Sequence, residues 1–437
     1  MTRAMGIGTG EAHVQPLLPQ VFKGDVLYAA GVRAGRWIFA TGHNGLLDYT
    51  TGAPSDVVRA GLPHWDTSKL RREADQIFRN LDAVMRAGGG SLENAVRLDQ
   101  NYTSGRAVEA YHDARRAMMK DHIAPSTSTL IEGFLRPQQE IEVHMIGVAP
   151  QGEFRPRHIR PKEQQVHPSS GYSLALEVGD YVFVAGRMAD GKLGEGLAKE
   201  ARLPEEHLWK GLPIRLEAEY IIREKIAPAL KAAGSSLDDV VKCQVYLRDA
   251  DDFGSFNDVW SKFFPHQKPA TTLVPTAVPG FFLANARIEI NAIALKSGAN
   301  TKREVVDAGV FPAFRGLPQA IRAGDLLLLS GLLAIDENGL VESAHIDREQ
   351  PYHGSTVQAQ MNAMLESAAK ICAAAGTSLA NVVRIQQYHT DPADFYNAYQ
   401  TWDRHVSGRH LPISAVKVPF LPVPGCTVQL DLWVYAP

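Results

Sequence analysis

Three short apolar runs, each bounded by glycines, recur along the chain: GRWIFATG (35–42), GDYVFVAG (179–186) and GDLLLLSG (324–331). The flanked residues are apolar and partly β-branched or aromatic, which predicts a turn, a buried strand and a second turn. The second glycines lie 144 and 145 residues apart. Downstream of each run the apolar spacing becomes helical, in KLRREADQIFRNLDAVMRAGGG, LEAEYIIREKIAPALKAAGSS and TVQAQMNAMLESAAKICAAAGTS. In the first, Ala74, Ile77, Phe78, Leu81, Val84 and Met85 make one face. Each helix is predicted to end at glycine (88–90, 234 and 376), which accepts the left-handed backbone that closes a helix. Pro228 lies inside the second and predicts a kink or a division there.

The pattern continues in register. SLENAVRLDQNYT, SLDDVVKCQVYLRD and SLANVVRIQQYHTD each open on a serine suited to a turn or cap and run into strand-like residues. Their leucines, Leu92, Leu237 and Leu379, are 145 and 142 residues apart. A second helix follows (AVEAYHDARRAMM, FGSFNDVWSKFF, FYNAYQTWDRHV). A proline-led strand starts at Pro125, Pro269 or Pro412, and a final alternating strand reads EIEVHMIGV, RIEINAIAL or TVQLDLWVY. Recurrence at four landmarks predicts three β-β-α-β-α-β-β units, over 1–152, 153–298 and 299–437. The first carries an extension of about 24 residues without counterpart. The polar, basic segments 155–167 and 296–303 read as linkers.

Composition narrows the function classes. With 45% hydrophobic and 21% charged residues, the 437-residue chain is neither disordered nor fibrous. Forty-five basic against 48 acidic residues leave a net charge of −3, without the field that holds nucleic acid. No stretch approaches the ~20 apolar residues that span a bilayer, and the first residues lack a secretory core. Neither nucleic acid nor a membrane is therefore an expected partner, and the expected location is cytoplasmic. Cys243, Cys372 and Cys426 are far apart and form no C-x-x-C, so they make neither a disulfide framework nor a thiolate zinc site. Cys243 reads as core and Cys426 as the more exposed. His43, His112 and His144 gather in the first unit without H-x-x-x-H spacing, which favours proton transfer over metal binding. No metal or cofactor is expected.

Each unit resembles the RidA/YjgF family of small α+β proteins. The residues that carry the resemblance are the G-x₆-G strand, the A-G-x-S-L-x-x-V-V-[KR] block and the E-I-x-A-I-A-like last strand. The second unit is most similar, with AAGSSLDDVVKCQVYLRDADDFGSFNDVW and IEINAIAL. Family members usually form homotrimers of chorismate-mutase-like fold with ligand clefts between subunits. The resemblance thus implies an α+β fold of three repeats in one polypeptide, a pseudo-threefold trimer with a central barrel and outer helices. Further homo-oligomerisation is not needed to form the clefts. It also implies hydrolysis of enamines or imines with release of ammonia. The alternatives are a non-catalytic metabolite-binding module and a cyclic-amide amidohydrolase of the cyanuric-acid-hydrolase kind. The latter is disfavoured because no lysine recurs at matching positions.

Site residues follow from the same resemblance. In deaminase members a P-x-R arginine grips the substrate carboxylate. Here that position holds Thr127, Thr271 and Ser414, and Arg187, directly after Gly186, is either a substitute anchor from another direction or a surface arginine pairing with Asp190 or Glu195. The water-positioning glutamate of the last strand is matched to His144, Asn291 and Asp431. Histidine and aspartate can accept protons and asparagine cannot, so catalysis is expected at His144 or Asp431, with His112 contributing. Tyr28 and Tyr172 match the tyrosine before the first core strand, whereas the third unit has Leu317. Thr41 and Ser330 close the G-x₆-G strand. Asn257 and Tyr399 stand with His112 on the second helix, where an asparagine faces the family cleft. The longer segments after the hairpins hold Trp65 and Trp209, candidate aromatic walls.

Overall fold

The computed structural model describes residues 13–17, 28–45, 52–58, 67–161, 164, 171–204, 206–209, 211–345, 349, 352 and 354–437. Among them are three large sheets with one strand order. In the first, Val14–Leu17, Gly31–Ala34 and Trp37–His43 form an antiparallel run. Trp37–His43 then pairs antiparallel with Ile141–Val148, which pairs antiparallel with Ala95–Tyr102. That strand is parallel to Ser126–Leu130. The second sheet repeats this with Arg157–Ile159, Ala175–Val178, Tyr181–Arg187, Ile288–Leu295, Val240–Leu247 and Ala270–Pro275. The third does so with Arg303–Val306, Ala320–Ala323, Leu326–Leu329, Val428–Tyr435, Val382–His389 and Ile413–Lys417.

The outermost strand of each sheet corrects two expectations. Val14–Leu17 lies within the extension that was to have no counterpart, and its counterparts, Arg157–Ile159 and Arg303–Val306, come from the segments read as linkers. Edge strands of three or four residues with polar outer faces carry too little apolar alternation to announce themselves.

Each sheet packs one face on its own helices. Helix Lys69–Ala87 is capped by Ser68, whose hydroxyl accepts from Arg71 N at 3.2 Å, and buries Ile77, Phe78, Leu81, Val84 and Met85. Gly234 (φ 72°) and Gly376 (φ 74°) end the corresponding helices in the left-handed conformation, as predicted. Pro228 divides the second helix, as expected: Leu212–Tyr220 and Ala227–Ala232, which has the proline in its first turn, are joined by a π-helical segment, Ile221–Ile226. Gln164 Nε2 donates to Glu224 O at 3.2 Å and Lys225 O at 2.9 Å, replacing the N–H that proline lacks.

The other faces meet in a shared apolar core that includes Trp37 and Phe39, Tyr181 and Phe183, and Leu326, Leu328 and Trp433. Trp37 Nε1 and the Tyr181 hydroxyl both donate to Asp325 Oδ1, at 3.0 and 3.1 Å, so one carboxylate joins all three units. The sheets are not hydrogen-bonded into one closed barrel among the described residues; side-chain packing and a few backbone hydrogen bonds, such as Ala29 N to Leu411 O and Gly331 N to Thr271 O, hold them together. One strand crosses over: Gly133–Phe134 of the first unit pairs with Val416 and Lys417 on the edge of the third sheet.

A repeated device ties each first helix to its last strand. Glu73 Oε1 accepts from Glu140 N and Ile141 N, Glu217 Oε2 from Arg287 N, and Gln360 Oε1 from Thr427 N. Burial, chiefly, pushes the Glu73 and Glu217 carboxyls up to about 7 from an ordinary 4.5. The folded state therefore holds the proton more tightly. The stabilisation is complete below about 4.5 and is lost as pH rises through about 7. Glutamine already fills this place in the third unit, so Glu217→Gln should fold. Its unfolding midpoint, relative to the parent, should rise between pH 5 and pH 8. A pH-independent difference would mean that the folded carboxyl is not neutral.

Candidate functional site

The strand bearing the G-x₆-G signature is bulged at its second glycine. Register shifts occur between Ala40 and His43 and between Val184 and Arg187. A bulge re-aims the side chains that follow it. Gly42, Gly186 and Gly331 each lie against the proline-led strand of a neighbouring unit, beside Ser414, Thr127 and Thr272, so three comparable junctions arise, and they differ in chemistry.

At the junction of the first and third units, the polar groups satisfy one another. Gly42 N donates to His144 Nδ1 at 3.1 Å, which leaves the imidazole proton on Nε2, 3.1 Å from Glu142 Oε1. The Ser414 hydroxyl donates to the same oxygen at 2.7 Å, and Asn101 Nδ2 lies 3.4 Å from it. The Tyr28 hydroxyl donates to Thr41 O at 3.1 Å. His43 is buried against Ala30 O, and burial pushes its imidazole down to about 4. His144, Tyr28, Thr41 and Ser414 are thus brought together.

At the junction of the third and second units the groups are uncharged. Gln429 occupies the place of Glu142 and donates to Leu273 O at 2.8 Å. Leu332 follows Gly331 there. Ser330 Oγ accepts from Thr271 N at 3.1 Å and donates to Pro318 O at 2.6 Å, and Thr271 Oγ1 donates to Pro269 O.

The junction of the second and first units is different. Arg187 is 3% exposed, and its Nε and Nη1 are buried without a hydrogen-bond partner. Glu289, also 3% exposed, has Oε2 unpartnered. Burial pushes its carboxyl up to about 8, against the Ser128 backbone N–H and the Arg187 charge, which favour ionisation. Tyr172 stands within electrostatic reach of both Arg187 and Glu289, and burial raises its hydroxyl. Asn291 Nδ2 donates to Thr127 Oγ1 at 3.0 Å across the unit boundary, and Asn291 Oδ1 accepts from Gln244 N. Orphaned buried guanidinium and carboxyl atoms are expensive, and two in one cleft point to a ligand or water that satisfies them.

Gly186 sets the width of this cleft. A Cβ there would stand 2.0 Å from Glu289 Oε1 and 2.9 Å from Thr127 Cγ2. Gly186→Ala should displace the Glu289 carboxyl and lower ligand binding sharply, with about 1–3 kcal/mol of destabilisation from overpacking. Titration calorimetry and denaturant unfolding on the same preparation check both. Parent-like binding would show that the carboxyl has room to move.

Asp431 belongs to a buried network on the molecular interior. Its Oδ1 accepts from Lys242 Nζ at 2.8 Å and its Oδ2 from Gln244 Nε2 at 2.7 Å. Burial alone would raise this carboxyl, but the charges of Lys242 and Arg384 hold it below its ordinary value. Arg384 Nη2 and Arg97 Nε both donate to Asp99, at 2.9–3.0 Å. Gln244 Nε2 donates to Gln386 Oε1 at 2.8 Å. All three units contribute.

The candidates on the second helices keep local company. Asn257 Oδ1 accepts from Lys268 Nζ at 3.2 Å. Burial pushes the Tyr399 hydroxyl up to about 12, and its ring lies 6.1 Å from that of Phe395. His112 is half-buried on Ala107–Met119. Trp209 is 73% exposed, and Trp65 falls outside the described residues. Cys426, like Cys243 and Cys372, is buried. Among the described residues no three His, Cys, Asp or Glu side chains are grouped to hold a metal, and no helix is long and apolar enough to cross a membrane.

The residues that sequence reasoning missed are Glu142 and Glu289. They stand two positions before His144 and Asn291 on the same strands, hence on the same face. The signal was a carboxylate at corresponding positions of two units, replaced by Gln429 in the third.

The chain matches the family model described as Endoribonuclease L-PSP over residues 215–296 and 311–436. It is similar to a RutC family protein of Pyrococcus abyssi, 38% identical over 31% of this chain and 93% of that protein. It is also similar to a 2-iminobutanoate/2-iminopropanoate deaminase of Dermatophagoides farinae, 30% identical over 32% of this chain and 97% of that protein. A chorismatase crystal structure covers 78% of this chain and 93% of its own at 14% identity, with a TM-score of 0.46. Matched over nearly the whole length of such relatives, the chain belongs to the RidA/YjgF family.

Proposed function

We propose that the chain is a small-molecule hydrolase of C–N bonds, acting on a carboxylate-bearing imine or enamine in the cleft between the second and first units. The observation that carries this is the pair of orphaned, buried groups, Arg187 and Glu289, in one cleft. The deaminases among its relatives support the reaction class. Arg187 holds the substrate carboxylate through its incompletely partnered guanidinium, in the role that Thr127 cannot fill. Neutral Glu289 protonates the enamine carbon or imine nitrogen. The resulting carboxylate takes a proton from water as the water oxygen bonds to the C=N carbon. The proton then passes to the nitrogen, the Glu289 carboxylate takes the hydroxyl proton as the C–N bond breaks, and ketone and ammonia leave with Glu289 neutral again. Tyr172 orients the polar end of the substrate, and Asn291 fixes Thr127 in the wall.

In this reading the three repeats stand as a family trimer in one chain, with one reacting cleft per molecule. The His144 cleft, whose groups are bonded to one another, and the Gln429 cleft are structural. Ammonia release should be measured with 2-imino acids generated in situ and with uncharged enamines. Turnover limited to the carboxylated substrates is expected. Stoichiometric binding at the same cleft without ammonia release would instead establish a metabolite-binding module.

A further inference from the structure

A second cavity, of about 510 Å³, lies wholly within the second unit, and none of its lining residues belongs to the Arg187 cleft. Its size is that of a small-molecule pocket. Leu197, Leu203, Pro213 and Ala284 supply apolar walls. Two polar groups enter it. Arg248 is bonded only through its backbone N–H, to Arg287 O at 3.1 Å, and its guanidinium has no partner among the described residues. Glu217 is 1% exposed, and only its Oε2 is engaged, by Arg287 N at 2.9 Å. The carboxyl that ties helix to strand therefore also presents a second oxygen to the cavity. Asn285 on its rim is held at φ 64°, an uncommon conformation for a side chain-bearing residue.

In the other units the corresponding side chain is differently engaged. In the first, Lys69 pairs with both Glu73 and Glu140, and in the third both ends of the Gln360 amide are bonded to backbone.

We infer that this cavity is a second binding site, which takes a small carboxylate with a branched apolar body. The carboxylate pairs with Arg248, and the body lies against Leu197, Leu203 and Pro213. Glu217, whose carboxyl burial pushes up to about 7, donates to the ligand in its protonated form. The site is independent of the proposed reaction in the inter-unit cleft.

The test is a methyl-resolved NMR titration of the full chain with 4-methylpentanoate, using 4-methylpentanamide as the uncharged control. Shifts of the Leu197 and Leu203 methyls report this cavity and not the other. The carboxylate should shift them, with the amide at least about tenfold weaker. Arg248→Gln should weaken the carboxylate by about tenfold or more. Ala284→Trp, at an exposed rim position that leaves folding intact, should abolish the shifts. Equal affinity for acid and amide would overturn the inference, as would insensitivity to Arg248→Gln. So would the absence of shifts up to about 10 mM, where even millimolar binding saturates.

Discussion

Glu289→Gln should lower ammonia release by about 10²–10⁴-fold, the range typical of a lost general acid–base group. The substitution preserves shape and removes only the titration. The proton carried by Glu289 is held up to about pH 8, so the acid is available at neutral pH although the group is a carboxyl. If proton donation limits the rate, kcat/KM falls as pH rises through about 8, and that limb disappears in the variant. Arg187→Ala should act differently, weakening substrate by about 10–150-fold through loss of a charged hydrogen bond of about 1.5–3 kcal/mol, mostly in KM. Glu142→Gln, in the cleft where His144 and Ser414 already satisfy the carboxylate, should leave turnover near the parent value. The three variants are compared on one 2-imino acid with folded fraction checked by near-UV circular dichroism. Full activity in Glu289→Gln together with loss in Glu142→Gln would move the reaction to the other cleft.

Asp431→Ala should destabilise the fold by about 3–5 kcal/mol, the consequence of removing one partner from a buried ion pair. Lys242 Nζ keeps Thr272 Oγ1 at 2.9 Å but loses its counter-charge, and Arg384 loses a carboxylate 3.8 Å away. The interior would then hold Arg97, Lys242 and Arg384 against Asp99 alone. Lys242→Met combined with Asp431→Leu removes both members of the pair and should recover much of the loss, because apolar replacements of buried pairs are often neutral. Urea unfolding of the two variants beside the parent gives the comparison. The depressed Asp431 carboxyl works in the same direction: its contribution is present above about 3.8 and is lost as pH falls below its folded value. Parity between the single and double variants would mean that the network adds nothing beyond packing.

Most of the architecture was legible because glycines, leucines and prolines recur at matched spacing, and each marks a place where backbone geometry admits few residues. The polar interior was harder to read. Arg97, Lys242 and Arg384 recur 145 and 142 residues apart within strands, a signal present in the sequence. Yet a strand buried on both faces gives no alternation that tells a cation facing inward from one facing solvent. The site suffered the same ambiguity in finer form. Glu289 and Asn291 share a face, and two residues of one strand differ by about 6.6 Å in height, so only the neighbouring unit decides which of them meets a ligand. Arg187 was recognisable as an anomaly after its glycine; that it lacks a partner is a property of three dimensions.

The crossing of Gly133–Phe134 onto the third sheet, with the Tyr28–Leu411 bridge, has a bearing on biosynthesis. The first unit leaves the ribosome with an unfilled edge, and its contacts to the third unit wait for about 280 further residues, many seconds of translation. The cleft holding Thr127, Arg187 and Glu289 is encoded earlier and can assemble while the last third of the chain is still being made. A nascent two-unit intermediate would thus carry a formed ligand cleft beside an open strand edge. A metabolite bound there during synthesis would stabilise the half-built molecule when it is most exposed to mispairing with another chain.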